Sequence, residues 1–174
     1  MVLKRPCRFS SDKKLLILEL VFVYWSQWLE NKMFFTVFFA WLFSCVLKGI
    51  LVCIREKKLD MTRFLGPGGM PSSHSTLVTS LATCVGIHDG FDSVTFVMCC
   101  AFALVVMYDA SGIRRAAGQQ AKMINMIVDA WNESDPLEKQ MRLKEILGHT
   151  PVEVCAGATL GVVFALVSNA IFGL

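Results

Sequence analysis

The chain has 174 residues, of which 55% are hydrophobic and only 18% are charged, and its mean hydropathy is +0.55. Soluble domains average about 45–50% apolar and about 25% charged residues, and a chain this short cannot bury so large an apolar excess. The composition excludes a disordered chain and a nucleic-acid arm and indicates a membrane protein. The net charge of +3 is too small to indicate a polyanionic partner.

The first 32 residues are predicted to form a region of their own. Residues 1–14 are a basic, polar arm, and residues 15–29 are mostly apolar and aromatic with interruptions at Glu19, Ser26 and Gln27. This apolar stretch fits either a short first membrane helix or a helix lying in the membrane interface. Residues 33–174 are predicted to form one membrane helix bundle.

Most of the remaining chain alternates between apolar runs and short polar segments. Residues 33–54 provide about the 20 residues that a bilayer requires. Residues 109–131 have apolar side chains at helical spacing, which predicts an amphipathic helix against the membrane or against the bundle. Further uncharged helices are predicted at residues 75–87, 93–108 and 154–172. The predicted fold is therefore all-α, a multi-pass transmembrane helix bundle of four or five spans plus an amphipathic helix.

The basic residues are distributed unevenly along this predicted bundle. The arm, residues 55–63 and residues 114–144 hold 15 of the 17 Lys and Arg residues. Cytosolic loops carry such an excess of positive charge. We expect an integral, multi-pass membrane protein whose basic loops face the cytosol, in a membrane that the sequence does not identify.

Three polar clusters interrupt the apolar chain, namely residues 68–75, 108–115 and 147–153, here called the first, second and third polar clusters. The predicted orientation places all three at helix ends on the basic side. Two of the three histidines lie in them. Polar groups at membrane depth are costly, so a functional site is the default interpretation.

The first polar cluster combines a glycine-rich approach with Pro71, Ser72, Ser73 and His74. Free backbone N–H groups at a helix start bind anions, above all phosphate, and His74 could donate a proton to a phosphate ester. The alternative is an ordinary glycine–proline turn followed by a serine helix cap.

The third polar cluster also has two interpretations. Thr150, Pro151 and Glu153 fit a capping box at the start of a helix. His149, one position before the cap, fits a histidine–carboxylate pair with Glu153, in which the carboxylate orients the ring and activates its other nitrogen.

Four cations are candidate ligands for an anion. Arg114 and Arg115 in the second polar cluster suit phosphate oxygens, or they anchor a helix end on the basic side. Lys48 lies inside an apolar run, where it either extends to the interface or binds an anionic ligand. Arg55 fits either role.

Three segments in this order resemble the motifs of a known superfamily. Residues 149–157 resemble the third motif of the type-2 phosphatidic acid phosphatases and vanadium haloperoxidases, His-x3-Asp followed by a small residue and glycine. Residues 71–74 resemble the second motif, Pro-Ser-Gly-His, and residues 48–55 resemble the first, Lys-x6-Arg-Pro. The longer stretches around all three polar clusters resemble the divergent, YuiD-like branch of that superfamily.

The resemblance implies a metal-independent phosphomonoesterase that acts on a membrane lipid phosphate and uses no cofactor. His149 would attack phosphorus and form a phosphohistidine, Glu153 would orient His149, and His74 would protonate the leaving oxygen. The candidate phosphate-binding residues are Lys48, Arg55, Gly69, Ser72, Ser73, Arg114 and Arg115. We expect no nucleic-acid partner and no metal.

The chain departs from the superfamily pattern in four places. Glu153 stands for Asp, Ser73 for Gly and Glu56 for Pro, and Leu143 occupies the position of an arginine in the third motif. A non-catalytic membrane protein that uses the motifs to bind an anionic headgroup, or as helix caps, is the alternative. A vanadium-dependent haloperoxidase is disfavoured by the small, membrane-embedded chain and by Leu143.

Overall fold

The computed structural model describes residues 21–57, 68–131, 143 and 147–173. All regular structure in these residues is helical, with the helices α1 Lys32–Glu56, α2 Ser73–Asp89, α3 Val94–Ser111, α4 Ile113–Trp131 and α5 Pro151–Phe172. The predicted all-α fold is confirmed. The basic arm, residues 1–14, lies outside the described residues.

The chain divides into two units, Met1–Lys32 and Met33–Leu174. In the first unit, residues 21–29 are helical and expose several aromatic side chains, with the rings of Trp25 and Trp28 in an edge-to-face contact at 5.6 Å. The five helices named above, apart from Lys32, belong to the second unit.

Three segments among the described residues are long and apolar enough to cross a membrane: Lys32–Arg55, Val94–Asp129 and Pro151–Phe172. The chain is thus a membrane protein built of helices. The predicted number of four or five spans is not confirmed. The difference arises mainly at α2, whose 17 residues extend about 25 Å, less than the hydrocarbon core of about 30 Å.

Helix α2 packs against both α3 and α5. Its buried residues are small or hydroxyl-bearing, so neighbouring backbones approach it closely; they are Ser73, Ser75, Thr76, Val78, Ser80, Ala82, Thr83, Cys84 and Gly86. Hydroxyls buried in this helix donate to main-chain carbonyls, which removes the cost of their burial. The uncharged stretch at residues 75–87 of α2 therefore reflects packing inside the bundle.

The crossing of α2 and α5 depends on two glycines. A side chain at Gly157 would overlap the backbone of Ser72, and one at Gly161 would overlap Thr79 and the backbone of Thr76. These glycines, which are four residues apart as Gly-x-x-x-Gly, thus allow a close helix contact. Helix α5 also contacts α1, since the ring of Phe164 lies 5.9 Å from that of Phe43.

Candidate functional site

Main-chain contacts join the three polar clusters at one end of the bundle. The N–H of His149 donates to the carbonyl of Ala110 at 2.8 Å, and the N–H of Ser72 donates to the carbonyl of Glu153 at 3.1 Å. Gly148 has a φ of +82° and lies directly against the backbone of Arg114 and Arg115. A side chain at Gly148 would overlap that backbone, so only glycine permits this approach.

His149 and Glu153 form the predicted pair. Nδ1 of His149 lies 3.0 Å from Oε2 of Glu153, and His149 is only 5% exposed. A carboxylate oxygen accepts, so the ring proton is placed on Nδ1 and Nε2 keeps its lone pair. This arrangement leaves one nitrogen of a buried imidazole available as a nucleophile or acceptor.

The capping box occupies the same residues. Glu153 Oε2 also accepts from the N–H of Thr150 at 3.2 Å, and the hydroxyl of Thr150 accepts from the N–H of Glu153 at 3.3 Å. The two interpretations of the third polar cluster therefore hold together, because one carboxylate oxygen caps the helix and orients the histidine.

His74 lies beside this pair in the first turn of α2. Its ring centroid is 6.4 Å from that of His149, and the planes of the two rings are inclined by 63°. Partial burial lowers the pKa of His74 below its usual value, and the positive charge of Arg114 lowers it further, whereas Asp109 opposes the shift. The net lowering of the pKa favours the neutral form of the His74 imidazole in the free site.

The start of α2 is held by Ser72, which is fully buried. Its hydroxyl accepts from the N–H of Ser75 at 3.4 Å and from the hydroxyl of Ser75 at 3.0 Å, so its side chain serves as the N-cap. Ser73 is buried as the first residue of the helix. In the described part of the chain, the N–H groups of Ser73 and His74 have no acceptor, which makes them available to an anion.

Lys48 reaches the site from the middle of α1. It is only 1% exposed, and its aliphatic stem runs along Gly69, whose φ is +88°. A Cβ at Gly69 would come within 3.3 Å of the Lys48 Cγ and Cδ atoms. Lys48 lies close enough to Glu153 and His74 for its charge to act on both, which brings this lysine into the candidate site.

Comparison with known proteins identifies the family. A family model described as "Divergent PAP2 family" matches residues 29–164. The chain belongs to this divergent PAP2 family. It is also 41% identical over 138 residues to the "Uncharacterized membrane protein YuiD" of Bacillus subtilis (strain 168), covering 74% of this chain and 87% of that protein. No solved structure matches the chain.

The divergent PAP2 family match extends over all three polar clusters, but not every predicted residue makes a described contact within the site. Arg114 is exposed at the start of α4, its Nε donates to Asp109 Oδ2, and its charge acts on His74. Arg115 and Arg55 are also exposed. Among the described residues, no contact joins the side chain of either to the two histidines.

Two residues of this divergent PAP2 protein that make contacts distant in sequence were not identified from the sequence. The hydroxyl of Thr76 donates across the α2–α5 contact to the carbonyl of Gly157. The buried amide of Asn125 binds both backbone groups of Leu143, at 2.9 and 3.0 Å. Asn125 shares a helix face with the small residues Gly118 and Ala121, a pattern that could have indicated its burial. No sequence pattern distinguishes Thr76 from the neighbouring hydroxyl residues.

Proposed function

We propose that this protein is a metal-independent phosphomonoesterase that acts on a membrane lipid phosphate through a phosphohistidine intermediate. The observation that carries this proposal is the buried His149–Glu153 pair with the His74 ring 6.4 Å away. Two imidazoles of different character, one held by a carboxylate and one whose pKa is lowered by partial burial and then by nearby cations, suit a nucleophile and a general acid.

The reaction follows from these roles. Nε2 of His149 attacks phosphorus, the bond from phosphorus to the ester oxygen breaks, and the departing alcohol takes a proton from His74. Glu153 stabilises the positive charge that develops on the His149 ring. Water then attacks the phosphohistidine and gives a proton to His74, and the P–N bond breaks to form inorganic phosphate.

Phosphate binding raises the pKa of His74 at the moment when its proton is needed. A bound phosphate dianion offsets the partial burial and the cations that lower this pKa in the free site. His74 therefore takes up a proton as substrate enters and returns to its neutral state as product leaves. We infer that the lowered pKa of His74 in the free site is compatible with its role as the general acid.

The cations and the helix start supply the phosphate ligands. The N–H groups of Ser73 and His74 point toward an anion at the helix start, with Gly69 next to them and Lys48 and Arg114 adding charge. Ser72 supports this group as the cap. Arg55 and Arg115, both exposed, are proposed to meet the headgroup outside the phosphate itself.

We infer that the substrate is a lipid because the site lies at helix ends of a membrane bundle. The chain belongs to a membrane-protein family, and a phosphate at the lipid headgroup reaches such a site without leaving the bilayer. The uneven distribution of Lys and Arg along the sequence favours the cytosolic leaflet.

One observation favours a second candidate, a non-catalytic headgroup-binding protein. Ser72, Thr150 and Glu153 all serve as helix caps, and capping alone accounts for their presence. In this alternative, the N–H groups and the cations bind an anionic headgroup, and His149 completes the packing beneath it.

Phosphate release by the purified full-length protein separates the two candidates. Glycerolipid, sphingoid and isoprenoid monophosphates are supplied in EDTA to wild type, His149→Ala and His74→Ala. His88→Ala is the matched control, since His88 lies at the opposite end of α2 and is exposed. We expect release by wild type and His88→Ala but not by His149→Ala.

A second readout tests the intermediate. Radiolabelled lipid phosphate should leave acid-labile, base-stable label on wild type and on His88→Ala, and none on His149→Ala. Folded wild type that binds the lipid phosphates but releases no phosphate from any of them would establish the headgroup-binding alternative.

A further inference from the structure

The candidate span Val94–Asp129 is too long to be one membrane crossing. Its 36 residues extend about 54 Å as helix, almost twice the hydrocarbon thickness of about 30 Å. The helix is interrupted at Gly112, whose N–H donates to the carbonyl of Tyr108. The apolar part before the interruption, α3, has one charged residue, Asp109, near its end. The part after it, α4, has three basic residues and one acidic residue.

Helix α4 has three distinct faces. At the helical angle of 100° per residue, Gly118, Ala121 and Asn125 share one face, and all three are buried. Ile124 and Ile127 lie on another face, here called the apolar stripe together with Ile113. They are 47%, 58% and 64% exposed, respectively. Arg115, Lys122 and Asp129 lie on the third face and are exposed.

This pattern decides how α4 contacts its surroundings. The face packed inside the protein is the one with small side chains, so the exposed apolar stripe is available to an outside partner. A water-facing stripe of isoleucines is unfavourable at about 25 cal/mol per Å². A bilayer-spanning α4 would place Arg115, Lys122 and Asp129 in hydrocarbon, which is costly for each charge.

An anionic lipid surface fits the stripe better than a second copy of the chain. Basic residues beside an apolar face are typical of helices that lie in the membrane interface and bind anionic headgroups. A second copy packed on the apolar stripe would not contact Arg115 or Lys122, which lie on the opposite side of the helix. Anionic headgroups instead attract the basic residues at Arg115 and Lys122.

We propose that α4 lies in the plane of the membrane interface, with its apolar stripe among the acyl chains of an anionic leaflet and its basic face among the headgroups. This proposal does not require catalysis. Its consequence for the site is geometric, because His149 bonds to Ala110 just before the interruption at Gly112 and Gly148 packs on Arg114 and Arg115 just after it. The depth of α4 therefore sets the depth of the two histidines at the headgroups.

The test measures depth directly. A genetically encoded fluorescent amino acid replaces Ile124, Ile127, Lys122 or Asp129 in the full-length protein in nanodiscs. The lipids are brominated at shallow or deep acyl positions. Position 105 serves as the reference for a membrane-spanning helix, since Val105 is an exposed residue in the middle of α3.

We expect shallow bromines to quench positions 124 and 127, consistent with burial about 5–10 Å into the headgroup and acyl boundary. Positions 122 and 129 should stay unquenched, and position 105 should respond to deep bromines. Deep quenching at all four α4 positions would overturn the proposal in favour of a span. No quenching at 124 and 127 would overturn it in favour of a stripe covered by protein.

A second experiment tests whether α4 binds anionic lipids. Adding phosphatidylglycerol to phosphatidylcholine nanodiscs should increase shallow quenching at position 124, and Lys122→Glu should remove that increase while the response at position 105 is unchanged. Quenching at 124 that is the same with and without phosphatidylglycerol would overturn the assignment to an anionic leaflet. None of these readouts depends on phosphatase activity.

Discussion

The hydroxyl of Thr76 lies 2.9 Å from the carbonyl oxygen of Gly157, to which it donates, and 3.0 Å from that of Ser72. Thr76 follows His74 by two residues, and Gly157 follows Glu153 by one helical turn. The Thr76 side chain thus links α2, which carries the proposed general acid His74, to α5. Helix α5 carries Glu153, the carboxylate that orients the proposed nucleophile. One turn further from the site, Thr79 makes a similar bond to the carbonyl of Ala158 at 3.0 Å.

Removing the hydroxyl of Thr76 should impair turnover more than stability. We expect Thr76→Val to lose about 0.5–1.5 kcal/mol of stability and to lower kcat between about tenfold and 100-fold, since small displacements of reacting groups are that costly. Thermal denaturation and kcat on the best lipid phosphate measure the two effects.

Thr79→Val is the matched control, because it removes a comparable interhelical bond away from the histidines. It should lose similar stability with little change in kcat, and Thr76→Ser should restore turnover. Equal losses of kcat in Thr76→Val and Thr79→Val would assign Thr76 a purely structural role.

Replacing one carboxylate oxygen of Glu153 by an amide nitrogen separates its role as a helix cap from its role as the partner of His149. A capping box accepts Gln as well as Glu, so Glu153→Gln should keep the melting temperature near that of wild type. It removes the negative charge that supports His149, and we expect kcat/KM to fall at least about 100-fold, by analogy with carboxylates that orient catalytic histidines.

Glu153→Ala should lose both properties, with about 1 kcal/mol of stability lost with the cap. Full activity in Glu153→Gln, measured beside the melting curve, would show that Glu153 acts only as a cap and would favour the non-catalytic alternative.

The pH dependence of kcat/KM should follow the lowered pKa of His74. A general acid must be protonated, and kcat/KM reports the free enzyme. Because partial burial and the charge of Arg114 lower this pKa below 6.5, kcat/KM should decline as the pH rises through a value on the acid side of 6.5. A pH–rate profile of wild type locates this limb.

Two substitutions should move that limb in opposite directions. Arg114→Gln removes a charge that lowers the pKa of His74 and should shift the limb to higher pH, whereas Asp109→Asn removes the opposing charge and should shift it to lower pH. These shifts are read independently of the absolute rates. A limb that stays in place in both variants would mean that it reports a group other than His74.

The contact at Gly157 should be intolerant of a side chain. A methyl group there overlaps the backbone of Ser72, so we expect Gly157→Ala to lose about 1–3 kcal/mol of stability, as overpacked cores do. Cys155→Ala, an exposed change on the same helix, should leave the melting temperature unchanged. An unaltered melting temperature in Gly157→Ala would contradict the close helix contact.

Much of the site was predictable because its chemistry is local in sequence. The capping box and the His149–Glu153 pair depend on spacings of three and four residues, which one helical turn brings together. That a single oxygen serves both could not be predicted, because it depends on the rotamer of Glu153. The Gly-x-x-x-Gly spacing is compatible with the close contact at Gly157 but is only a weak signal for it.

Other features depend on contacts distant in sequence. The bond from Thr76 to Gly157 needs the crossing of α2 and α5. The sequence around Thr76 does not distinguish this threonine from Thr79 or Thr83. Residues 75–87 suggested a span because they are uncharged, yet the length of α2 and its burial between neighbours are properties of the bundle. Asn125 finds its partner 18 residues away, in the backbone of Leu143.

The bonds from His149 to Ala110 and from Ser72 to Glu153 use main-chain atoms only. A scaffold of this kind keeps its shape when the surrounding side chains are exchanged, since every residue except proline offers the same donor. The replacement of an arginine by Leu143, and of a glycine by Ser73, can therefore alter what the site binds while its frame persists. With such a main-chain frame, substitutions can change the chemistry of the site without changing its geometry.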